Sequence, residues 1–265
     1  MRTPFQDADA AALYDWEYRR RRADVRFYRA LAGECGGPIL DLACGTGRLL
    51  APLARDGHRV VGLDREPAML ARAAVRVARL RAGARARTLL VKGDLAALPT
   101  ARRFRLAIAA FHSIQHLESE DDLGRFFEDA VRALCPGGWL AFDTFAPSAA
   151  FLARDANKRW DRTRFRHPET GRLTDYSESH DLDGRMLEMT FHYQHVDAIG
   201  RHRGRERRTR LRHRLWTSDE VRAHLAAAGL AVVGAWGGFD GQPLDEDLVE
   251  DTEQNVFLAR ASAGA

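Results

Sequence analysis

Several features that would mark a secreted or membrane protein are scarce in this sequence of 265 residues. The three cysteines (Cys35, Cys44 and Cys135) are odd in number and scattered, which argues against a disulfide framework and a metal site. No apolar run approaches the ~20 residues that span a bilayer. Residues 1–12 lack the apolar core of a signal peptide. We therefore expect a soluble, cytoplasmic enzyme or binding protein that has no membrane partner.

An excess of charge is also missing, because 41 basic residues face 37 acidic ones and the formal net charge is only +4. Such a balance permits acidic partners but does not require them. The exception is the stretch 201–214, where every second residue from 208 to 214 is an arginine. In a strand these arginines would share one face, which could bind an acidic substrate or nucleic acid. We favour a solvated face, or one that pairs with the acidic residues at 240–251.

Short apolar runs alternate with helical patterns from residue 36 to residue 149. The apolar runs, which we interpret as strands, lie at 39–43, 60–63, 88–91, 106–111 and 139–145. The helical patterns between them lie at 48–55, 67–82 and 121–134. Because helices separate successive strands, the pattern predicts right-handed βαβ units and a parallel sheet. An aromatic-rich helix is predicted before this core, at 13–32.

The pattern becomes extended after about residue 150. Strands of an antiparallel layer are predicted at 172–180, 186–196 and 207–216. Asp183-Gly184, between the first two, is the strongest short hairpin signal. A capping box at Thr217 and Glu220 then opens a helix, and two further strands follow at 230–236 and 255–261. The layer therefore interrupts a single domain, whose parts are an N-terminal helix at 1–35, a core at 36–149, an insertion at 150–216 and a C-terminal completion of the sheet at 217–265.

Residues 38–48 combine a buried strand, a glycine turn and the start of a helix. Glycines let the backbone approach a ligand closely, and a helix N-terminus offers free N–H groups. A dinucleotide fingerprint would need a third glycine at position 50, where Leu50 stands. Acidic residues instead accompany three successive strands: Asp41, Asp64 and Asp94. Because Asp64 can accept both ribose hydroxyls, this arrangement favours a nucleoside that carries a cation over one that carries a pyrophosphate.

These motifs resemble those of the class I S-adenosylmethionine-dependent methyltransferases. Residues 41–47 match the first motif of the family except at Ala43, where many members have glycine. Residues 61–64 resemble its ribose-binding strand end, 93–95 its adenine-binding turn and 134–138 the loop before its fifth strand. The resemblance implies a Rossmann-like α/β fold with a seven-stranded, mostly parallel sheet, an antiparallel lid insertion and S-adenosyl-L-methionine as cofactor. The cofactor-binding residues that it implies are Tyr18, Arg22, Asp41, Ala43, Gly45, Gly47, Asp64, Arg65, Met69, Gly93, Asp94, Leu95, Phe111 and His112.

One subgroup is especially similar, in the Tyr14-Asp15-x-x-Tyr18 pattern, the segment 111–117 and the late insertion. It contains glycine and sarcosine methyltransferases and the aminosugar N,N-dimethyltransferases of antibiotic biosynthesis. In these enzymes the N-terminal helix covers the cofactor, and the insertion lies over the active site, often at a subunit contact. The resemblance therefore implies a small-molecule substrate and allows a homodimer through the insertion. It also implies two catalytic residues, His116 beside the acceptor amine and Tyr14 in the same site.

Each of these residues also has a purely structural interpretation. His116, with an ordinary pKa near ~6.5, could accept a proton or orient the acceptor, or it could merely pack at a helix start. Tyr14 and Tyr18 could border the active site or form an aromatic stripe that packs the helix onto the domain. One arginine of the run 19–22 could pair with the cofactor carboxylate. The sequence does not choose among the four, and Arg22 is our candidate.

The predicted reaction is the in-line transfer of a methyl group to a small-molecule amine. Nucleic-acid methylation is disfavoured, because residues 111–114 lack the two prolines of adenine-N6 enzymes and the Pro-Cys nucleophile of cytosine-C5 enzymes. Magnesium-dependent O-methylation is disfavoured as well, since Asp143-Thr144 does not supply the Asp-Asn pair after the fifth strand, and we expect no metal. Metal-free O- or C-methylation and a non-catalytic cofactor-binding scaffold remain as alternatives.

Overall fold

The structure, a computed structural model, describes residues 3–98, 104–244 and 254–262. The strands of these ranges are β1 Ile39–Leu42, β2 Val60–Asp64, β3 Thr88–Lys92, β4 Phe104–Ala109, β5 Leu134–Phe145, β6 Trp160–Arg166, β7 Leu173–Asp183, β8 Met186–Val196, β9 His202–Arg214, β10 Leu230–Trp236 and β11 Gln254–Ala261. The α-helices are α1 Ala8–Glu17, α2 Ala23–Cys35, α3 Leu50–Arg55, α4 Pro67–Ala78, α5 Ala82–Arg85, α6 Glu120–Ala133, α7 Ala149–Leu152 and α8 Ser218–Ala227. None of these helices is long and apolar enough to cross a membrane.

A seven-stranded sheet forms the centre of the fold, in the order β10-β11-β5-β4-β1-β2-β3. Its first five strands along the chain pair in parallel, whereas β11 runs antiparallel between β5 and β10. The predicted mostly parallel sheet is therefore confirmed. The strand order reverses between β1 and β4, and open α/β sheets bind ligands at such a switch point, beyond the carboxyl ends of the strands.

Both faces of this sheet are covered, which explains why its strands are continuous apolar runs in the sequence. All four residues of β1 are buried. On one face, Phe126 and Phe127 of α6 pack with Phe142 and Phe257, and the last two rings stack at a centroid distance of 5.3 Å. Each fully buried side chain of this size contributes about 1.5–3 kcal/mol. The apolar core thus fixes the strands whose ends carry the acidic residues.

The C-terminal part completes the sheet as the sequence predicts. The capping box is confirmed, because Thr217 Oγ1 accepts the Glu220 N–H (3.2 Å) and Glu220 Oε2 accepts the Thr217 N–H (2.9 Å). Gly229, in a left-handed conformation (φ +80°), follows α8 and leads into β10. Antiparallel pairing of β10 with β11, and of β11 with β5, then closes this edge.

The single helix predicted at 13–32 is wrong. The chain instead forms α1, a 3₁₀ turn at Tyr18–Arg20 and α2, and Arg21 between them is extended (φ −70°, ψ 115°). Arg48 provides the reason for the break, because its guanidinium contacts both the Arg21 carbonyl (3.5 Å) and the carboxylate of Asp24 in the first turn of α2.

Asp15 attaches α1 to the core through three polar contacts. Its carboxylate accepts hydrogen bonds from Thr46 Oγ1 (2.5 Å), Arg72 Nε (2.9 Å) and Arg76 Nη2 (2.8 Å). Thr46 belongs to the glycine turn after β1, and the two arginines belong to α4. Arg72 also donates to Glu169 (2.9 Å), in the connection between β6 and β7. One ionic network therefore joins α1, the glycine turn and the antiparallel insertion.

The predicted antiparallel layer is a four-stranded sheet in the order β6-β7-β8-β9. The hairpin predicted at Asp183-Gly184 is confirmed, with Gly184 (φ +58°) and Arg185 as its two turn residues. Sequence analysis missed β6. This edge strand, WDRTRFR, is mostly exposed and has no apolar alternation to mark it.

The outer face of the four-stranded sheet carries the alternating arginines of β9. Each pairs with a glutamate, and the pairs are Arg208–Glu206, Arg210–Glu188, Arg212–Glu118 and Arg214–Glu120. The arginine charges of this face are therefore balanced by glutamates. These glutamates do not belong to the acidic group expected at 240–251, of which 245–251 lie outside the described residues. The residues between the arginines, Thr209, Leu211 and His213, point to the opposite, inner face and line a cavity.

Candidate active site

Two adjoining cavities lie at the carboxyl ends of the parallel strands. The glycine-loop cavity, of about 100 Å³, follows the ends of β1, β2 and β3. The aromatic cavity, of about 390 Å³, lies between α1, the segment after β4 and the inner face of the four-stranded sheet. Four side chains border both cavities, namely Phe5, Tyr14, Phe111 and His116. Ligands in the two cavities would therefore meet at these side chains.

Most of the predicted cofactor residues come together around the glycine-loop cavity. Those that line it are Ala43, Gly45, Asp64, Arg65, Met69, Gly93, Asp94, Leu95 and Phe111. Their assembly follows from the topology, because β3, β2, β1 and β4 are parallel neighbours whose carboxyl ends share one edge. Tyr18 and His112 line the aromatic cavity instead.

The loop after β1 has a backbone that favours glycine. The φ angles of Ala43 (+52°), Gly45 (+55°) and Gly47 (+76°) all lie in the left-handed region. The Gly45 N–H donates to Asp64 Oδ2 (2.8 Å), and the Glu66 N–H donates to Asp64 Oδ1 (2.9 Å). Burial raises the pKa of Asp64, and these two hydrogen bonds oppose that rise. The loop and the carboxylate at the end of β2 thus form one hydrogen-bonded unit.

Three predicted cofactor residues line neither cavity. Asp41 is buried inside β1, and burial raises its pKa to about 7. Gly47 packs on α4, where an added Cβ would lie 3.4 Å from Ala73. Arg22 requires a correction, because it is exposed and Arg21 lines the aromatic cavity in its place. Arg21 is extended whereas Arg22 is already the N-cap of α2, and of the two side chains only that of Arg21 faces the cavity.

A strained turn follows β4. Phe111 (φ +63°) and His112 (φ +61°) both have left-handed backbones, which are unfavourable by about 1–3 kcal/mol each. Asp143 of β5 offsets this strain, because its carboxylate accepts the N–H groups of Phe111 (2.9 Å) and His112 (3.1 Å) and the hydroxyl of Tyr28 (2.6 Å). Burial raises the pKa of Asp143 to about 6. Sequence analysis did not find this role, although a carboxylate within an apolar strand is a signal for it.

Three histidines gather on one side of the aromatic cavity. The ring centroid of His213, on β9, lies 4.8 Å from that of His116 and 6.2 Å from that of His112. Burial lowers the pKa of His116 to about 4 and that of His112 to about 3, and it lowers the pKa of His213 well below its ordinary value. All three imidazoles are therefore neutral at neutral pH. Sequence analysis missed His213, because its place in the inner face becomes visible only once β9 is paired.

Aromatic rings enclose the junction of the two cavities. The ring centroid of Tyr14 lies 4.9 Å from that of Tyr18 and 6.0 Å from that of Phe111, while Phe5 and His116 are 5.7 Å apart. Burial raises the pKa of Tyr14 to about 12, so the residue remains a neutral phenol. The two tyrosines thus pack against each other and also line the aromatic cavity.

Comparisons with known proteins agree with this geometry. A methyltransferase domain model matches residues 39–138. The putative methyltransferase YqeM of Bacillus subtilis is 32% identical over 40% of this chain and 42% of its own length. A dTDP-3-amino-3,6-dideoxy-alpha-D-glucopyranose N,N-dimethyltransferase of Streptomyces fradiae is 27% identical over 89% of each chain. The crystal structure of an S-adenosylmethionine-dependent methyltransferase from Clostridium acetobutylicum is 19% identical, with a TM-score of 0.73 over 94% of this chain and 96% of that one.

The chain therefore carries a methyltransferase domain, and its fold is that of an S-adenosylmethionine-dependent methyltransferase. The matched range of this methyltransferase, 39–138, contains the glycine loop and the strand ends of the glycine-loop cavity. Most of the aromatic cavity lies outside that range, on α1 and on the four-stranded sheet. The aromatic cavity is therefore built mainly from the parts that the domain model does not match.

Proposed function

We propose that this methyltransferase transfers a methyl group to the nitrogen of a small-molecule amine. The observation that carries the proposal is the junction of the two cavities, where the neutral imidazole of His116 and the phenol of Tyr14 border both. The relative from Streptomyces fradiae, aligned over 89% of this chain, is named as an N,N-dimethyltransferase of an aminosugar, which supports a nitrogen acceptor.

The residues of the glycine-loop cavity fit S-adenosyl-L-methionine, which supplies an electrophilic methyl group on its sulfonium. In this proposal Asp64 accepts hydrogen bonds from the ribose hydroxyls. The carboxylate of Asp94, which follows the next strand, lines the same cavity. Leu95 and Met69 form apolar walls suited to an adenine ring. Behind the loop, the buried Oδ2 of Asp41 has no hydrogen-bond partner among the described residues, so this side chain retains capacity to accept one.

The neutral state of His116 decides its role in the proposed reaction. An imidazole with a pKa of about 4 is a weak base, so its main contribution is orientation. One ring nitrogen accepts a hydrogen bond from the acceptor N–H, and the phenol of Tyr14 provides a second polar contact. Correct orientation lowers a barrier by about 7–11 kcal/mol, whereas general base catalysis contributes a factor of about 10²–10⁴. The amine therefore loses its proton before transfer, and the rate rises with pH up to the pKa of the bound acceptor.

The insertion at 150–216 serves as a lid in this proposal, within a single domain of residues 1–265. The inner faces of β8 and β9 supply one wall of the aromatic cavity, with side chains such as Met189, Phe191 and Leu211. An apolar wall of this kind excludes water from the acceptor and strengthens the polar contacts inside. Deleting the hairpin of β7 and β8 is expected to spare cofactor binding while abolishing turnover.

The reaction is tested with a panel of amines, phenols and carboxylic acids under saturating S-adenosyl-L-methionine. Methylation of amines supports the proposal. Methylation of phenols or acids alone would contradict it and establish the O-methyltransferase alternative. Cofactor binding by calorimetry without any turnover would favour a non-catalytic scaffold.

The role of His116 is tested with His116→Asn, which keeps a polar side chain but moves the hydrogen-bonding atoms. We expect kcat to fall by about 10- to 100-fold, the usual effect of a misplaced reacting group. The matched control is His202→Asn, since His202 lies on the outer edge of β9 with a side chain 62% exposed. Equal turnover of the two variants would show that His116 only packs.

A further inference from the structure

Glu17 is a buried carboxylate of the aromatic cavity that the proposed reaction does not use. It follows Tyr14 by three residues on α1, so the two side chains lie on one helix face with Cβ atoms about 5–6 Å apart, and both line the cavity. The Tyr176 hydroxyl lies 3.0 Å from Glu17 Oε1 and 2.6 Å from Glu178 Oε1. Its single proton can serve only one carboxylate at a time, so Glu17 retains capacity for another donor.

The charge of Glu17 has no cationic partner among the residues that the structure describes. The groups that face it are the hydroxyls of Tyr18 and Tyr176 and the carboxylate of Glu178. Burial, together with the nearby charge of Glu178, raises the pKa of Glu17 to about 7. Because a buried carboxylate without a cation is unfavourable, a bound cation would be stabilised strongly at this position.

Thr209 provides an independent sign of a ligand at the same end of the cavity. Its side chain is 1% exposed and lines the cavity, yet its Oγ1 has no hydrogen-bond partner among the described residues. Strand pairing places Glu178, Phe191 and Thr209 in one row across β7, β8 and β9. A buried hydroxyl is normally hydrogen-bonded in a folded protein, so a ligand group is its natural partner.

The remaining charges of the cavity wall disfavour a phosphorylated ligand. Its arginines already face carboxylates, since Arg154 pairs with Asp161 at 2.8 Å and Arg21 lies 3.9 Å from Asp24. Most other side chains of the wall are aromatic or aliphatic, including Phe191 and seven further Phe and Tyr rings. Aromatic faces attract cations, whereas a diphosphate would require guanidinium groups that are free to bind it.

We propose that Glu17 and Thr209 form a subsite for a second, positively charged amino group of the acceptor. The substrate class is then an unphosphorylated amine with two basic nitrogens joined by a short apolar spacer, rather than an aminosugar linked to a nucleoside diphosphate. This inference rests on the proposed N-methylation, since one nitrogen lies at His116 and Tyr14 while the other lies one helical turn away at Glu17.

The subsite is tested first by binding, with the enzyme saturated with S-adenosyl-L-homocysteine. The probes are p-xylylenediamine and 4-methylbenzylamine, which differ only in the second amino group. We expect the diamine to bind about 10- to 100-fold more tightly by calorimetry, the usual effect of one charge-assisted hydrogen bond, and Glu17→Gln to remove this preference. Glu188→Gln, on the outer face of β8, is the matched control and should retain it. Equal affinities for the two amines in the wild-type enzyme, or a preference that survives in Glu17→Gln, would overturn the proposal.

A second pair of variants guards against a folding defect in Glu17→Gln. Thr209→Val keeps the side-chain shape and removes the hydroxyl, so the diamine should bind about 2- to 10-fold more weakly. Thr190→Val is the control, because Thr190 lies on β8 between two residues that line the cavity and therefore faces outward. Unchanged diamine affinity in Thr209→Val would contradict the role given to its hydroxyl.

Methylation assays with the same probes separate this inference from the proposed function. Preferential methylation of the diamine supports both. Equal methylation of the two amines, or better turnover of a nucleoside-diphosphate-linked aminosugar, would overturn the subsite while leaving N-methylation intact. A binding preference for the diamine without methylation of any amine would support the subsite and contradict the proposed function.

Discussion

The two cavities of this methyltransferase are specified in different ways. The glycine-loop cavity is built from short segments that directly follow neighbouring parallel strands, and backbone groups such as the Gly45 N–H form part of it. The aromatic cavity depends on contacts between segments far apart in the chain, such as that between Glu17 and Tyr176, 159 positions away. The first cavity can therefore be predicted from spacing, whereas the second depends on how α1 and the four-stranded sheet pack.

The largest effect is expected from Asp64→Ala, which should damage the glycine-loop cavity alone. Removing two charge-assisted contacts of about 1.5–3 kcal/mol each should weaken S-adenosyl-L-methionine binding by about 10²- to 10⁴-fold. Calorimetry measures the change, and Asp121→Ala, an exposed site in the first turn of α6, is the control. Unchanged cofactor affinity would refute the assignment of Asp64.

A smaller effect is expected from Glu17→Gln, a change in the aromatic cavity alone. It should alter the free energy of unfolding. Because the folded protein raises the pKa of Glu17 from 4.5 to about 7, the carboxylate loses its proton less readily when folded, and the free energy of unfolding falls as pH rises through this interval. At pH 8 the glutamine variant should be more stable than wild type by up to about 3 kcal/mol. The difference should shrink to less than about 1 kcal/mol at pH 5. Urea unfolding at both pH values measures it, and an equal difference at both would contradict the prediction.

Asp143→Asn should affect both cavities, because Asp143 holds the backbone of Phe111, which borders the two. The amide has only one oxygen to accept the hydrogen bonds that reach both carboxylate oxygens, so the free energy of unfolding should fall by about 2 kcal/mol. Asp143 acts here as a positioning residue. The Kd of the cofactor and the KM of the acceptor should therefore both rise in the folded variant, whereas a purely structural role would leave both unchanged.

The smallest effect is expected outside both cavities, from Arg210→Ala. Arg210 pairs with Glu188 at 3.1 Å on the outer face, with side chains 47% and 33% exposed. Surface pairs of this kind contribute about 0–1 kcal/mol, and salt screens them. Stability, cofactor affinity and kcat should stay close to those of wild type. A large loss of activity would show that the outer face takes part in function.

The central sheet was predictable because each of its buried strands is a separate apolar run bounded by turn residues. Asp64 and Asp94 were found because the strand ends meet at one edge of a parallel sheet. The break at Arg21 was not predictable from helical pattern, since the partner that stabilises it, Arg48, is 27 positions away. Because of that break, the side chain of Arg21 faces the aromatic cavity and that of Arg22 is exposed, which explains the correction to Arg22.

The inner face of the four-stranded sheet marks the limit of sequence analysis. The alternating pattern of β9 was evident in the sequence, but we interpreted only its arginines. The residues that line the aromatic cavity lie between those arginines. His213 and Thr209 acquire meaning only when the hairpins pair and turn that face toward α1. Functional residues that belong to no local motif are recognised from their burial and their unsatisfied polar atoms. Both of these properties require the structure.

The ionic attachment of α1 through Asp15 is sensitive to ionic strength. The three polar contacts of Asp15 join this ten-residue helix to the glycine turn and α4, and two of them are charge pairs with arginines 30% and 35% exposed. Asp9 of the same helix adds a pair with Arg207 of the four-stranded sheet. Dissolved salt screens such partly exposed pairs. Any movement of α1 away from the glycine turn would therefore be opposed less strongly as ionic strength rises.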